Sequence, residues 1–212
     1  RFEISEHPNF EASITTCWLK AQADTDYLVK AKVSDLKPGT RYFYRAIFGP
    51  NEKSLQTGDV CSFRTLQTKD GTDDVSFVVV TGMNYTSFHY GKPKKGKRTG
   101  IGGYEGPDKD LGFPALATMV KMKLDFFVGT GDNVYYDSHD DQEATDITGM
   151  RRKWHEQLVQ PRFVELFRNV PTYWEKDDHD HRFNDCDTAG TRAPLSDLGI
   201  RIFREQVPVV DP

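Results

Sequence analysis

The sequence predicts a small all-β module followed by an α/β domain built on a parallel sheet, and three observations carry that prediction. Residues 2–66 alternate apolar and polar side chains in short runs divided by turn residues. Val75–Val80 and Leu124–Gly129 are continuous β-branched and aromatic runs, of the kind that fills a strand buried on both faces. Stretches with helical spacing lie between and after those runs, so strand, helix and strand succeed one another as a parallel sheet requires.

In the first module the alternating runs are Ile14–Leu19, Leu28–Val33 and Tyr42–Phe48, bounded by the turn residues Asp24-Thr25-Asp26, Lys37-Pro38-Gly39 and Gly49-Pro50-Asn51. Residues 67–74 are polar and aperiodic and read as a linker, which divides the chain into 1–68 and 75–212. Val75–Val80 is the first strand of the second part, and a glycine- and lysine-rich loop follows over 90–110. Phe113–Met122 has helical spacing with proline in its first turn. Leu124–Gly129 is the second strand. Residues 146–167 read as amphipathic helix interrupted at Pro161, Val170–Trp174 as a third short strand, and 194–204 as a last helix.

Composition excludes several classes. Lys plus Arg number 28 against 32 Asp plus Glu, a formal charge of −4. Such a balance disfavours nonspecific duplex binding, and the one basic run, Lys92–Arg98, reads as a solvated loop or a steering patch for an anionic substrate. No apolar run approaches the roughly 18 residues that a membrane-spanning helix needs. Three cysteines are too few for a disulfide scaffold; Cys17 and Cys61 either pair or stand as separate buried thiols. With no initiator Met and a polar opening at Arg1, the chain reads as a piece of a longer protein.

In open α/β sheets ligands bind beyond the carboxyl ends of the strands. The three strands here end in Thr81-Gly82-Met83-Asn84-Tyr85, Gly131-Asp132-Asn133-Val134-Tyr135-Tyr136-Asp137 and Asp177-Asp178-His179-Asp180. Neighbouring strands would converge Asp132, Asp137, Asp177, Asp178 and Asp180 on one rim, and five carboxylates at a partly dehydrated edge call for compensating cations. An oxygen-rich set with a histidine and a tyrosine suits hard ions such as Ca²⁺, Mg²⁺, Mn²⁺ or Fe³⁺. A solvated acidic loop is the plain alternative. There is no Gly-x-Ser-x-Gly turn, so a serine nucleophile is not indicated. His89, His139 and His155 read as surface or core histidines, and Trp18 and Trp154 as packing residues.

These residues resemble known families. Val33–Tyr44, with Leu36 and Tyr42, is similar to the corner of fibronectin type III and related domains, and Cys61–Leu66 to their last strand, which implies that the first module is a partial β-sandwich. Gly131-Asp132-Asn133-Val134-Tyr135 resembles the second motif of calcineurin-like metallophosphoesterases. Trp174–Asp180 and Asn184–Asp187 resemble the acidic block of the alkaline phosphatase D (PhoD-like) family, with Glu175 and Lys176 inserted after the tryptophan. The resemblance implies an α/β protein: a fibronectin-type sandwich, then the N-terminal half of a metallophosphoesterase α/β sandwich. It implies a metal-dependent hydrolase of phosphomonoesters or phosphodiesters, acting on small-molecule or polymer substrates.

The same resemblance implies roles. Asp132 would bridge two metals, Tyr135 would bind iron as tyrosinate, and Asp178 would hold the second metal. His179 would act on the phosphoryl oxygens or the leaving group. Asn84 and Asp177 would lie beside the ligands or the substrate, and Asn184 would order the loop or ligate calcium. Iron with calcium is the implied metal pair, manganese or zinc being alternatives, in a monomer with an extracytoplasmic location. Two departures stand out. The family commonly places a cysteine ligand where this chain has Gly82, for which Met83 is too soft and Asn84 or Tyr85 could compensate by turning inward. Such sites are completed by histidines from later strands, usually including a His-x-His pair, which would lie after Pro212; neither His7 nor His181, which directly follows the acidic block, supplies it, so the piece alone is expected to have little activity. The rival reading is a non-catalytic secreted binding module with a degenerate metal site.

Overall fold

The computed structural model describes residues 1–94, 97–138 and 143–209, with side chains described for all but 93–94 and 97–101. His139 and most of the basic run Lys92–Arg98 therefore lie outside the described side chains.

The N-terminal part is one antiparallel sheet of five strands: β1 (Phe2–Ser5), β2 (Ile14–Thr15), β3 (Arg41–Phe48), β4 (Gln56–Thr57) and β5 (Cys61–Arg64). β3 is its hub, pairing with β1, β4 and β5. The corner expected from sequence forms: Tyr42 is buried, and its hydroxyl accepts the Lys37 N–H at 2.9 Å. The expected strand at Leu28–Val33 does not form. Leu28 and Val29 are exposed, and Ala31 and Val33 are only half-buried, lining a cleft with Ile4, Tyr44 and Phe63, while the stretch joins no ladder among the described residues. Ile14–Leu19 shortens to β2: Thr16 N–H still donates to the Phe2 carbonyl of β1 at 2.9 Å, and residues 17–19 join no ladder among the described residues. Trp18 is a further correction; it is 42% exposed, with the Arg1 guanidinium 4.6 Å over its ring. Cys17 and Cys61 are separate thiols, and Cys17 is exposed, not buried.

The second part contains β6 (Phe77–Val80), α1 (Tyr85–Tyr90), a hairpin of β7 (Lys92–Lys94) and β8 (Lys97–Ile101), α2 (Pro114–Lys121) and β9 (Phe126–Thr130). It continues with α3 (Ile147–Leu158), α4 (Pro161–Phe167), β10 (Thr172–Glu175) and α5 (Ser196–Gln206). The sheet order is β10-β9-β6, all parallel. Pro161 starts α4, where a missing N–H costs nothing, and so breaks the long helical pattern. Asp146 caps α3 by accepting the Gly149 N–H at 2.7 Å.

One sheet face is packed: Val78, Val80, Phe127 and Trp174 meet Leu116, Phe163 and Leu166 from α2 and α4. The opposite face is open, with Phe77 51% and Val79 57% exposed. The expectation of burial on both faces thus fails for β6, because among the described residues no layer covers that side. A second core joins α3 and α5 around Trp154, Met150, Tyr136 and Ile202. The two parts are tied directly. Asp26 of the N-terminal part binds His155 of α3 at 2.6 Å and Gln206 of α5 at 2.7 Å, and Ser62 N–H donates to the Arg168 carbonyl at 3.0 Å.

Candidate metal centre

The carboxyl ends of β9 and β10 meet because of a glycine. Gly131 has φ +91°, and a Cβ placed on it would sit 2.4 Å from Asp177 Cβ, so only glycine lets the two strand ends touch. Asp132 follows in the left-handed region at φ 52°, which Asp tolerates better than most residues. Thr81 Oγ1 donates to the Gly131 carbonyl at 3.1 Å and Met83 N–H to the Asp132 carbonyl at 3.0 Å, which brings the end of β6 to the same rim.

Asp132, Asp178 and His179 each offer a ligand atom, and these atoms lie within 4.8 Å of one another. The Tyr135 hydroxyl donates to Asp132 Oδ2 at 2.9 Å, and its ring lies 4.2 Å from that of His179. Asp132 Oδ1 is buried and has no hydrogen-bond partner. Burial pushes the Asp132 carboxyl above its usual range, and the charges of Asp178 and Asp177 push the same way, against Tyr135 and His179. An unpartnered buried carboxylate oxygen beside a second carboxylate, an imidazole and a phenol is a donor set that fits a hard cation. Burial, and then Asp132, also raise the Tyr135 phenol, so it stays protonated unless a cation displaces the proton.

Of the five carboxylates expected on the rim, two reach the cluster. Asp137 instead binds His179 Nδ1 at 2.6 Å through Oδ1 and accepts the Asn184 N–H at 3.0 Å through Oδ2. Burial disfavours a charge on either partner, yet the contact outweighs it: the imidazole is raised and the Asp137 carboxyl lowered. Asp180 is wholly buried and turned inward, accepting from Asp177 N, Asn133 N and Asn133 Nδ2 at 2.7, 3.2 and 2.6 Å. Asp177 is exposed, and its Oδ1 accepts the Asp178 N–H at 2.9 Å.

The remaining expected residues fall nearby with other engagements. Asn84 caps α1, accepting the Ser87 N–H at 2.8 Å, and its amide donates to Ser138 Oγ at 3.0 Å. Asn184 is exposed and its amide donates to Asp185 at 2.5 Å. Gly82 does lie on the site, since a Cβ there would meet only the Tyr135 hydroxyl, at 3.8 Å. Neither candidate substitute turns inward: Asn84 is the helix cap, and Tyr85 stacks on His89 at 4.2 Å.

Two features escaped the sequence reading. Asp137 was one carboxylate among five, with nothing to single it out as the partner of His179. Arg182, 1% exposed, donates to the carbonyls of Pro194, Asp187, Ala189 and Arg192 at 2.6–2.9 Å and so folds the loop after His179 around its guanidinium. The single hint was an arginine two residues after the acidic block.

Comparison with known proteins follows from this geometry. Residues 1–67 match the family model of the PhoD-like phosphatase N-terminal domain. The solved structure of PhoD superposes with a TM-score of 0.71 at 15% identity, covering 99% of this chain and 39% of that one. The purple acid phosphatase PPD1 from yellow lupin (Lupinus luteus) seeds superposes with a TM-score of 0.52 at 11% identity, covering 85% of this chain and 28% of that one. No curated protein matches the chain by sequence. At these identities the structural likeness speaks to fold, and the chain spans well under half the length of either structure. The PhoD-like resemblance read from residues 131–137 and 174–187 is thus supported by the family match of the N-terminal part and by the fold of the whole.

Proposed function

We propose, from a chain similar to PhoD-like phosphatases in its first 67 residues and in its fold, that it forms part of a metal-dependent hydrolase of phosphate esters. In this reading residues 1–68 are the accessory β module and 75–212 the N-terminal half of the catalytic domain, in a monomeric, extracytoplasmic enzyme. The carrying observation is the convergence of Asp132, Asp178 and His179 within 4.8 Å at the carboxyl edge of a parallel sheet, around a buried unpartnered carboxylate oxygen.

Asp132, Tyr135 and Asp178 would hold the metals, with iron and calcium as the pair that the family resemblance implies. When bound, such ions neutralise phosphate charge and lower the pKa of a coordinated water. The protein's own side chains do the rest. Asp137 engages His179 Nδ1 and fixes the ring, leaving Nε2 as the nitrogen that can serve a substrate. Because that contact raises the imidazole, Nε2 keeps a proton to donate to a phosphoryl oxygen or to the leaving group. Gly82 leaves space beside the Tyr135 hydroxyl where a cysteine ligand would otherwise stand, which favours an oxygen-ligated centre.

The test is hydrolysis of nitrophenyl phosphate and bis-nitrophenyl phosphate by the complete polypeptide, before and after chelation, with Asp132→Asn and His179→Ala as controls. Loss of activity in all three cases is expected, and the ratio of the two substrates decides between monoester and diester. Activity indifferent to chelator and to both substitutions contradicts the proposal and favours the binding-module reading.

A further inference from the structure

The ligand atoms of Asp132, Asp178 and His179 belong to two segments, one leaving β9 and the other leaving β10. Two of the three are carboxylates, which repel each other, so other groups must hold the gap between the segments. Asp180 and Asn133, both 0% exposed, do so. Asp180 divides its carboxylate between the two backbones. Its Oδ1 accepts the Asp177 N–H at 2.7 Å, and its Oδ2 accepts the Asn133 N–H at 3.2 Å and the Asn133 amide at 2.6 Å. The same amide nitrogen donates to the Glu175 carbonyl at 2.9 Å, where β10 ends. Asn133 directly follows Asp132, and Asp180 directly follows His179. The Asp137 contact orients the imidazole; the Asp180 contact joins the backbones that carry all three ligands.

For a joint that only held the fold together, this one is costly. It buries a carboxylate, and it leaves Asn133 Oδ1 buried with no hydrogen-bond partner. Turning the amide over would cure nothing, because its oxygen would then face Asp180 Oδ2 and the Glu175 carbonyl, two acceptors. Room is kept for that stranded oxygen, since a Cβ on Gly129 would lie 2.5 Å from it. A buried polar joint that gives up stability is best explained by the single geometry it enforces, and here that geometry is the spacing of metal ligands.

We propose that Asn133 and Asp180 are positioning residues of the metal centre: their contact sets the separation of Asp132 from Asp178 and His179, and with it the affinity for the cation, beyond any part the contact has in folding. The inference rests on the metal-centre reading above.

The experiment is a titration of the complete polypeptide, stripped of metal, with manganese(II) chloride, the fall of the free-ion electron paramagnetic resonance signal reporting binding. It is repeated on Asp180→Asn, which keeps the shape but turns an NH₂ group toward a backbone N–H, and on Asn133→Ala. Asp132→Asn controls for the site. Leu166→Ala, at a position 1% exposed in the core between α4 and the sheet, controls for stability. Asp180→Asn should raise the half-saturating manganese concentration by about tenfold to a hundredfold, and Asn133→Ala by about tenfold. Leu166→Ala should lower the urea midpoint of the metal-free protein at least as far, yet leave the manganese midpoint within about twofold of the parent's. Should Asp180→Asn fold poorly by circular dichroism, Asn133→Ala carries the test. Manganese midpoints equal to the parent's, or displaced no further than that of Leu166→Ala, would overturn the proposal and leave the metal centre standing, provided Asp132→Asn loses its ion. A parent that binds no manganese, or an Asp132→Asn that binds it equally well, would overturn the metal-centre reading and this proposal with it.

Discussion

Replacing Arg182 by methionine tests whether one side chain holds the loop that follows His179. The guanidinium is 1% exposed and donates to four carbonyls, those of Pro194, Asp187, Ala189 and Arg192. Pro194 is buried while 187, 189 and 192 are exposed, so the variant strands one carbonyl and lets three return to water. A stranded buried acceptor costs about 1–3 kcal/mol, and each exchanged hydrogen bond about 0.5–1.5. Together they predict a loss of about 2.5–7.5 kcal/mol, a span that includes the roughly 3–5 typical when a buried charged group loses its partner. For a domain of this size that corresponds to a fall in Tm of roughly 10 °C. Thermal and urea unfolding of parent and variant measure it, with limited proteolysis reporting on 183–195. Arg182→Lys should recover little, because a point charge cannot reproduce the fork that reaches four acceptors. A loss under about 1 kcal/mol, or full rescue by lysine, would refute the reasoning.

Three further outcomes are expected. Trp154→Phe leaves the wholly buried Tyr136 hydroxyl without the indole N–H that now donates to it at 2.8 Å; it should cost about 3 kcal/mol by urea unfolding, part of which Tyr136→Phe in the same chain restores. Gly131→Ala, by forcing Asp177 away from the strand end, should lower stability and metal content together. Tyr44 is raised to about 12, chiefly by burial and then by Cys61. Its neutral form is favoured by folding, so that contribution is complete below pH 10 and is lost as the pH rises from about 10 to 12, by roughly 2–3 kcal/mol. Urea midpoints of the parent should therefore sag over that interval more than those of Tyr44→Phe, and parallel curves would contradict the assignment.

What could be read from sequence was whatever local chemistry decides. Pro161 announced its helix boundary, the apolar runs announced β9 and β10, and Gly131–Asp137 announced a polar cluster at a strand end. The Leu28–Val33 stretch shows the limit: a strand needs a partner backbone as well as alternation, and here the stretch joins no ladder among the described residues, with Leu28 and Val29 left exposed. α1 was missed because six residues are too short for a periodic signal, and its boundary rests on one cap from Asn84. The site was legible as a set of acidic loops but not as an arrangement. Sequence could not tell that Asp180 turns inward to hold Asn133, that Asp137 takes the imidazole, or that Asp132 and Asp178 keep the cluster. Those assignments depend on the crossing of two strand ends, a contact between residues some 45 positions apart.

The central claim is that Asp132 and Asp178 share a bound cation, and a metal count addresses it most directly. The complete polypeptide, purified without chelator and analysed by plasma mass spectrometry beside Asp132→Asn and Asp178→Asn, should carry tightly held metal that each substitution reduces by at least one ion per chain. Equal metal content in all three proteins would contradict it.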